Sequence, residues 1–163
     1  MKSTRWGLIF TVCIFFQLAL QAQSRQKAES AFLKEINNVL QHSQDAGLSF
    51  LYNVNSMLVD SPFVIKEGII SVAVSYVSDT DTIRIRAEAP VSHLNDIGYD
   101  NYLFILLKDE AVTQNEYKAG DKDYKKTIKK NLLHIGTPIK DGYGEQENLQ
   151  KLLNKLLKYY KQE

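Results

Sequence analysis

Apolar side chains recur at two different spacings along this chain, and the change of spacing limits what it can fold into. Phe32, Ile36, Val39 and Leu40 follow the three- and four-residue steps of one helix face, with Ala28 one turn earlier. Leu149, Leu152, Leu153, Leu156, Leu157 and Tyr160 do the same near the other end. Between them the period falls to two. Ile70, Val72, Val74 and Tyr76 alternate with Ser71, Ala73 and Ser75, and Ile83 and Ile85 alternate with Arg84 and Arg86. That is the pattern of strands with one face buried. The expected class is α+β: an N-terminal helix, an antiparallel meander sheet, and a C-terminal amphipathic helix packed on the sheet.

The punctuation fits this order. Asp45-Ala46-Gly47 supplies a stop after a helix over 25–43, because glycine tolerates the left-handed conformation past a helix end. Residues 48–60 suit either a short helix or an extended segment. A short piece at 63–66 leads into Glu67-Gly68, which reads as a turn, and Ser78-Asp79-Thr80-Asp81 is turn chemistry between two alternating strands, hence a hairpin. The continuous apolar run Tyr102-Leu103-Phe104-Ile105-Leu106-Leu107 suits a central strand covered on both faces, with 111–117 pairing to it across Lys108-Asp109-Glu110. The lysine-rich stretch 118–130 reads as a loop or short exposed helix, and 132–135 as a last strand. In the final helix, Glu145 and Glu147 lie near the first turn and lysines crowd the last, in accord with the helix dipole.

The opening residues read as an address. Lys2 and Arg5 precede an apolar run over residues 6–20, and Gln21-Ala22-Gln23-Ser24 offers a small residue at a cleavage point. This is the layout of a secretory signal peptide, and the run falls short of the roughly 20 apolar residues that span a bilayer. The expected division is 1–22 signal peptide and 23–163 a single α+β domain, with no transmembrane segment after cleavage. The only cysteine, Cys13, lies inside the apolar run, so the mature chain would carry none and its core alone would hold it together. Cleavage also removes Lys2 and Arg5, leaving 18 basic against 19 acidic side chains of the 20 and 19 present. That balance gives no support to a nucleic-acid binder.

The segment Ala28-Glu29-Ser30-Ala31-Phe32-Leu33-Lys34-Glu35, the strands after it and the helix Leu149-Gln150-Lys151-Leu152-Leu153-Asn154-Lys155-Leu156-Leu157-Lys158-Tyr159-Tyr160 stand in a recognisable order behind the signal-like start. The layout resembles small exported bacterial proteins of unknown function, some of which have a pleckstrin-homology-like strand meander closed by a helix. The resemblance covers most of the mature chain. It rests on no catalytic motif and transfers no functional residues.

Catalytic kits are missing from the sequence. His42, His93 and His134 have no second histidine or cysteine at metal-ligand spacing. His42 reads as the end of the first helix. Asp79 and Asp81, Asp121 and Asp123, and the Asp141-Gly142-Tyr143-Gly144-Glu145 segment lack the spaced oxygen donors of a calcium loop and the lysine of a phosphate loop, and read as solvated turns. No Gly-x-Ser-x-Gly occurs, and Ser24-Arg25-Gln26-Lys27 falls at the expected mature N-terminus. No catalytic, cofactor-binding or metal residue is assigned, and no cofactor is expected. The one charge asymmetry is Lys118, Lys122, Lys125, Lys126, Lys129 and Lys130, with Tyr117 and Tyr124 interleaved. These lysines are a candidate patch for an anionic partner, an envelope protein or an anionic surface.

The expectation is therefore a periplasmic or secreted, non-enzymatic binding or scaffolding domain of the bacterial cell envelope. Two alternatives stand beside it. One is an inhibitor or immunity-type protein partner. The other is a small hydrolase whose site is assembled from dispersed residues, such as His93 with Asp96 or Asp100.

Overall fold

The computed structural model describes residues 4–45 and 55–160 of the 163-residue chain. A long helix, α1 (Thr4–Asp45), is followed by eight strands: β1 (Ser56–Lys66), β2 (Ile69–Val77), β3 (Thr82–Pro90), β4 (Leu94–Asp100), β5 (Tyr102–Leu107), β6 (Val112–Lys118), β7 (Asp121–Lys130) and β8 (Leu132–His134). A second helix, α2 (Tyr143–Leu157), closes the chain. The α+β class, with antiparallel sheets and a terminal helix packed on them, is as the spacing predicts. The Ala46-Gly47 stop and the first part of the ambiguous 48–60 stretch lie outside the described residues. From Ser56 onward that stretch is strand.

The strands form a large sheet in the order β1-β2-β3-β6-β7 and a small sheet in the order β4-β5-β8. All pairings are antiparallel. The chain passes from one sheet to the other three times: after Pro90, the last residue of β3; across residues 108–111, between β5 and β6; and at Asn131, between β7 and β8. Expected pairing of 111–117 with Tyr102–Leu107 is not what forms. β6 pairs with β3 and β7 in the large sheet, while both neighbours of β5 are β4 and β8. The 118–130 segment is likewise strand β7 rather than loop or helix. The β1–β2 hairpin turns on Glu67 and Gly68, both with positive φ, the geometry that makes strands twist correctly through a two-residue loop.

The two helices close the seam between the free edge of β1 and that of β4. Phe32, Ile36, Val39 and Leu40 of α1 and Leu149, Leu153, Leu156 and Leu157 of α2 are buried on facing stripes, and both contribute to one core with Phe63, Ile70, Leu94, Leu103 and Ile105. Contacts from His42 to Glu145, Glu35 to Asn148 and Glu29 to Tyr160 run in opposite sequence directions, so α1 and α2 lie antiparallel. The end of α1 is capped from the other side of the molecule. Thr137 N–H donates to Ser43 Oγ (3.2 Å) and the Thr137 hydroxyl donates to the Ser43 carbonyl. Gly136 makes that approach possible: a Cβ there would lie 1.9 Å from Ser43 Oγ, and its φ is +76°.

Side-chain amides finish the backbone at both seam edges. Asn37 of α1 accepts from Phe63 N–H (2.7 Å) and donates to Phe63 C=O (2.9 Å). Gln44 donates to Met57 C=O. On β4, Ile97 N–H donates to Gln150 (2.7 Å) and Ile97 C=O accepts from Gln146 (2.9 Å), both from α2. These amides take the place of a neighbouring strand, as unpaired backbone groups away from water require.

Candidate functional site

The site is built on the outer face of the large sheet. Strand alternation sends Ile70, Val72, Val74 and Tyr76 of β2 inward, so Ser71, Ala73 and Ser75 face outward. The register lines them up with outward residues of the other strands. One row runs Ser61, Ala73, Arg86, Asn115, Thr127, and the next runs Leu58, Ser75, Arg84, Tyr117, Lys125. Register shifts between Val59 and Ser61 and between Ser61 and Val64 place extra residues in β1. Such bulges bend a strand and increase its twist.

Ser71 and Ala73 of β2 lie at the floor of a groove of about 800 Å³, walled by Ser61, Val64, Ile69, Arg84 and Arg86. Ala73 and Ser75 are buried although they point outward, because the longer neighbours stand over them. Val64, Ile69 and Tyr117 are exposed apolar or aromatic surface at the rim. Arg84 and Arg86 lie two residues apart on the same strand face. Asp60 holds Arg84 through Nε (3.2 Å) and also accepts from the Ser75 hydroxyl (2.7 Å). Glu88 holds Arg86 through Nε at 3.6 Å. Each guanidinium is thus steered at its inner nitrogen, while more than half of the side chain meets solvent. A planar fork held this way presents donors suited to carboxylate or phosphate oxygens.

The lysine group is divided by the same alternation. Lys118 is bound to Asp81 at 2.9 Å, a bond that raises its pKa above the ordinary lysine value. Lys125 and Lys129 share the outer face with Arg84 and Arg86, with Lys125 6.0 Å from the Tyr117 ring centre and Lys129 bonded to the Thr113 hydroxyl. Lys126 and Lys130 lie on the opposite face of β7, where Lys130 donates to Gln114 at 3.0 Å. The side chain of Lys122 is outside the described residues. Lys125, Lys126, Lys129 and Lys130 are thus spread over both faces of β7, and Lys118 ends β6.

The histidines do not assemble with the carboxylates named from sequence. His93 lies 2.8 Å from Asp109, not from Asp96 or Asp100, and both members of the pair are solvent-exposed. Asp96 instead accepts from its neighbour Ile97 N–H. His134 stands edge-on to Tyr102 with ring centres 4.8 Å apart. Burial, with a smaller contribution from Lys130, holds its pKa below the ordinary histidine value. His42 reaches Glu145 of α2 at 3.5 Å. Tyr76, on the inner face of β2, has its phenol pushed up to about 12 by burial. Among the described residues no group of three or more His, Cys, Asp or Glu side chains could hold a metal ion.

Sequence reasoning named Arg84 and Arg86 only as outward residues. The signal that marks them is the match between two large cations on one strand and a Ser-Ala-Ser face on the strand before it. Compared with protein-family models, curated proteins and solved structures, the chain matches none. Among the described residues no helix is long and apolar enough to cross a membrane.

Proposed function

We propose that this chain is an exported, non-enzymatic binding domain of the bacterial cell envelope, and that it recognises an anionic partner through the groove on the outer face of the large sheet. One observation carries the reading. Two guanidinium groups, each oriented by a carboxylate, stand side by side over small residues and beside exposed Val64 and Ile69. A surface that serves only solubility has no use for a bent strand and a floor of small side chains. A ligand that joins negative charge to an apolar group fits both parts. The basic, apolar and small-residue succession of residues 1–22 supports export, as does the resemblance to small exported bacterial proteins.

The test starts with protein recovered from the envelope fraction, whose first residue is expected to be Gln23. Mass spectrometry showing Met1 retained in cytosolic protein would remove the location. The partner is expected to bind less well as salt rises. Replacing Arg84 and Arg86 together by alanine is expected to weaken it ~10-fold or more, since hydrogen bonds to charged groups contribute about 1.5–3 kcal/mol each. The thermal midpoint should hardly move, because both side chains are on the surface. Full retention of the partner by that variant places recognition elsewhere.

A further inference from the structure

The four strand edges of the two sheets are treated differently. β1 and β4 are covered by the helices, with Asn37, Gln44, Gln146 and Gln150 bonded to their backbones. β8 has three residues, too short a length to add a strand to. β7 has ten, and among the described strands it pairs with β6 alone. Its outer edge thus carries a long row of backbone donors and acceptors with no strand against them, a geometry that accepts another strand.

The charges beside that row say what kind of strand. Lys125 and Lys129 lie on one face of β7, Lys126 and Lys130 on the other. Lys129, Lys130 and Lys125 meet a hydroxyl on Thr113, an amide on Gln114 and a tyrosine ring, none of them ionised, while Lys126 is the cross-strand neighbour of Glu116, whose carboxylate accepts from Gln114. An apolar strand laid against β7 would press its side chains onto ammonium groups on both faces. A strand with carboxylates would place them beside lysines on whichever face they project from, at cross-strand distances where opposite charges attract.

We propose that β7 is an acceptor edge that binds an extended, acidic segment of a partner protein by strand addition. The backbone edge is distinct from the groove floor, although Lys125 stands over Tyr117, which lines the groove. Backbone hydrogen bonds supply sequence-independent affinity, and the lysines select for acidic segments over apolar ones. The Lys118 side chain takes no part, since Asp81 already holds it.

The probe is a fluorescein-labelled twelve-residue peptide alternating Glu and Thr, with the Gln-Thr peptide as control, added to the full chain. The Glu peptide is expected to bind at least 10-fold tighter than the Gln peptide, to weaken with salt, and to slow amide hydrogen exchange across residues 121–130. Changing Lys125, Lys126, Lys129 and Lys130 to Gln should remove that binding, with circular dichroism checking that the fold persists. Binding without slower exchange at 121–130 means attraction between side chains alone and overturns strand addition, as does no binding at all. Equal binding to anionic phosphatidylglycerol vesicles, again without slower exchange there, overturns it in favour of a lipid surface. If Arg84→Ala with Arg86→Ala abolishes peptide binding while the lysine variant keeps it, the peptide occupies the groove. The edge inference then fails and the groove reading stands.

Discussion

The seam edges β1 and β4 and the open edge β7 face the same physical problem and meet it in opposite ways. At the seam, amides from α1 and α2 bond to the strand backbone and the helices bury the apolar faces behind it. At β7, lysines alternate over both faces and leave the backbone edge to solvent. The first arrangement ties edge pairing to the core, so it contributes to stability. The second keeps the edge from pairing with apolar strands while contributing little to stability, because charges in water attract and repel weakly. Within the large sheet the sealed edge β1 and the charged edge β7 lie at opposite ends.

The contrast breaks most completely at Leu153. Its side chain is fully buried on the α2 stripe. Leu153→Asp takes away roughly 1.5–3 kcal/mol of burial and sets a carboxylate where no cation is bonded to it, a cost of several kcal/mol more. Against a net stability of ~5–15 kcal/mol, the cooperative unfolding transition should disappear. Lys151→Asp, on the wet side of the same helix, is the matched control and should leave the transition in place. A cooperative, equally heat-stable Leu153→Asp protein means that α2 does not hold the seam.

A smaller effect is expected at Asn37. Asn37→Ala leaves both Phe63 N–H and Phe63 C=O without their amide partner, while Phe63 itself stays in the core. Leaving a buried backbone group unsatisfied costs about 1–3 kcal/mol, and partial access of water places this site near the lower end. The thermal midpoint should fall by several degrees, and the Phe63 amide should exchange faster. Unchanged exchange there makes the Asn37 amide an ornament and leaves the seam to apolar packing alone.

What the sequence shows of this contrast is uneven for a physical reason. The buried stripes of both helices and the β2–β3 hairpin are legible because an inside and an outside impose a period on the residues. β7 has no such period. Both its faces are wet, Ile128 is its only aliphatic residue, and lysines recur at every phase, so 118–130 reads as a loop. β1 is half hidden because its register shifts interrupt the alternation with β2. The partner of β6 is not local information: three residues separate β5 from Ala111 and four separate β5 from β6, yet the free sides of β5 are taken by β4 and β8. The groove needs the register of β1, β2, β3 and β6 at once. A residue list shows Arg84 and Arg86 pointing outward but not the small side chains beneath them.

The smallest effect on stability, and the sharpest test of the comparison, belongs to the β7 lysines. Changing Lys125, Lys126, Lys129 and Lys130 to Gln removes four positive charges and no buried contact, so unfolding free energy should move by about 0.5 kcal/mol or less in either direction. Solubility should respond instead. With those charges gone, residues 124–130 of the edge carry no charge, and pairing between copies meets less repulsion there. Light scattering on heating should therefore begin earlier in the variant than in the parent at low salt. The difference should shrink near 1 M salt, where the screening length falls to about 3 Å and the parent loses its own protection. A variant that melts several degrees lower yet scatters no sooner means the lysines serve the fold rather than the edge, and the division between sealed and guarded strands does not hold.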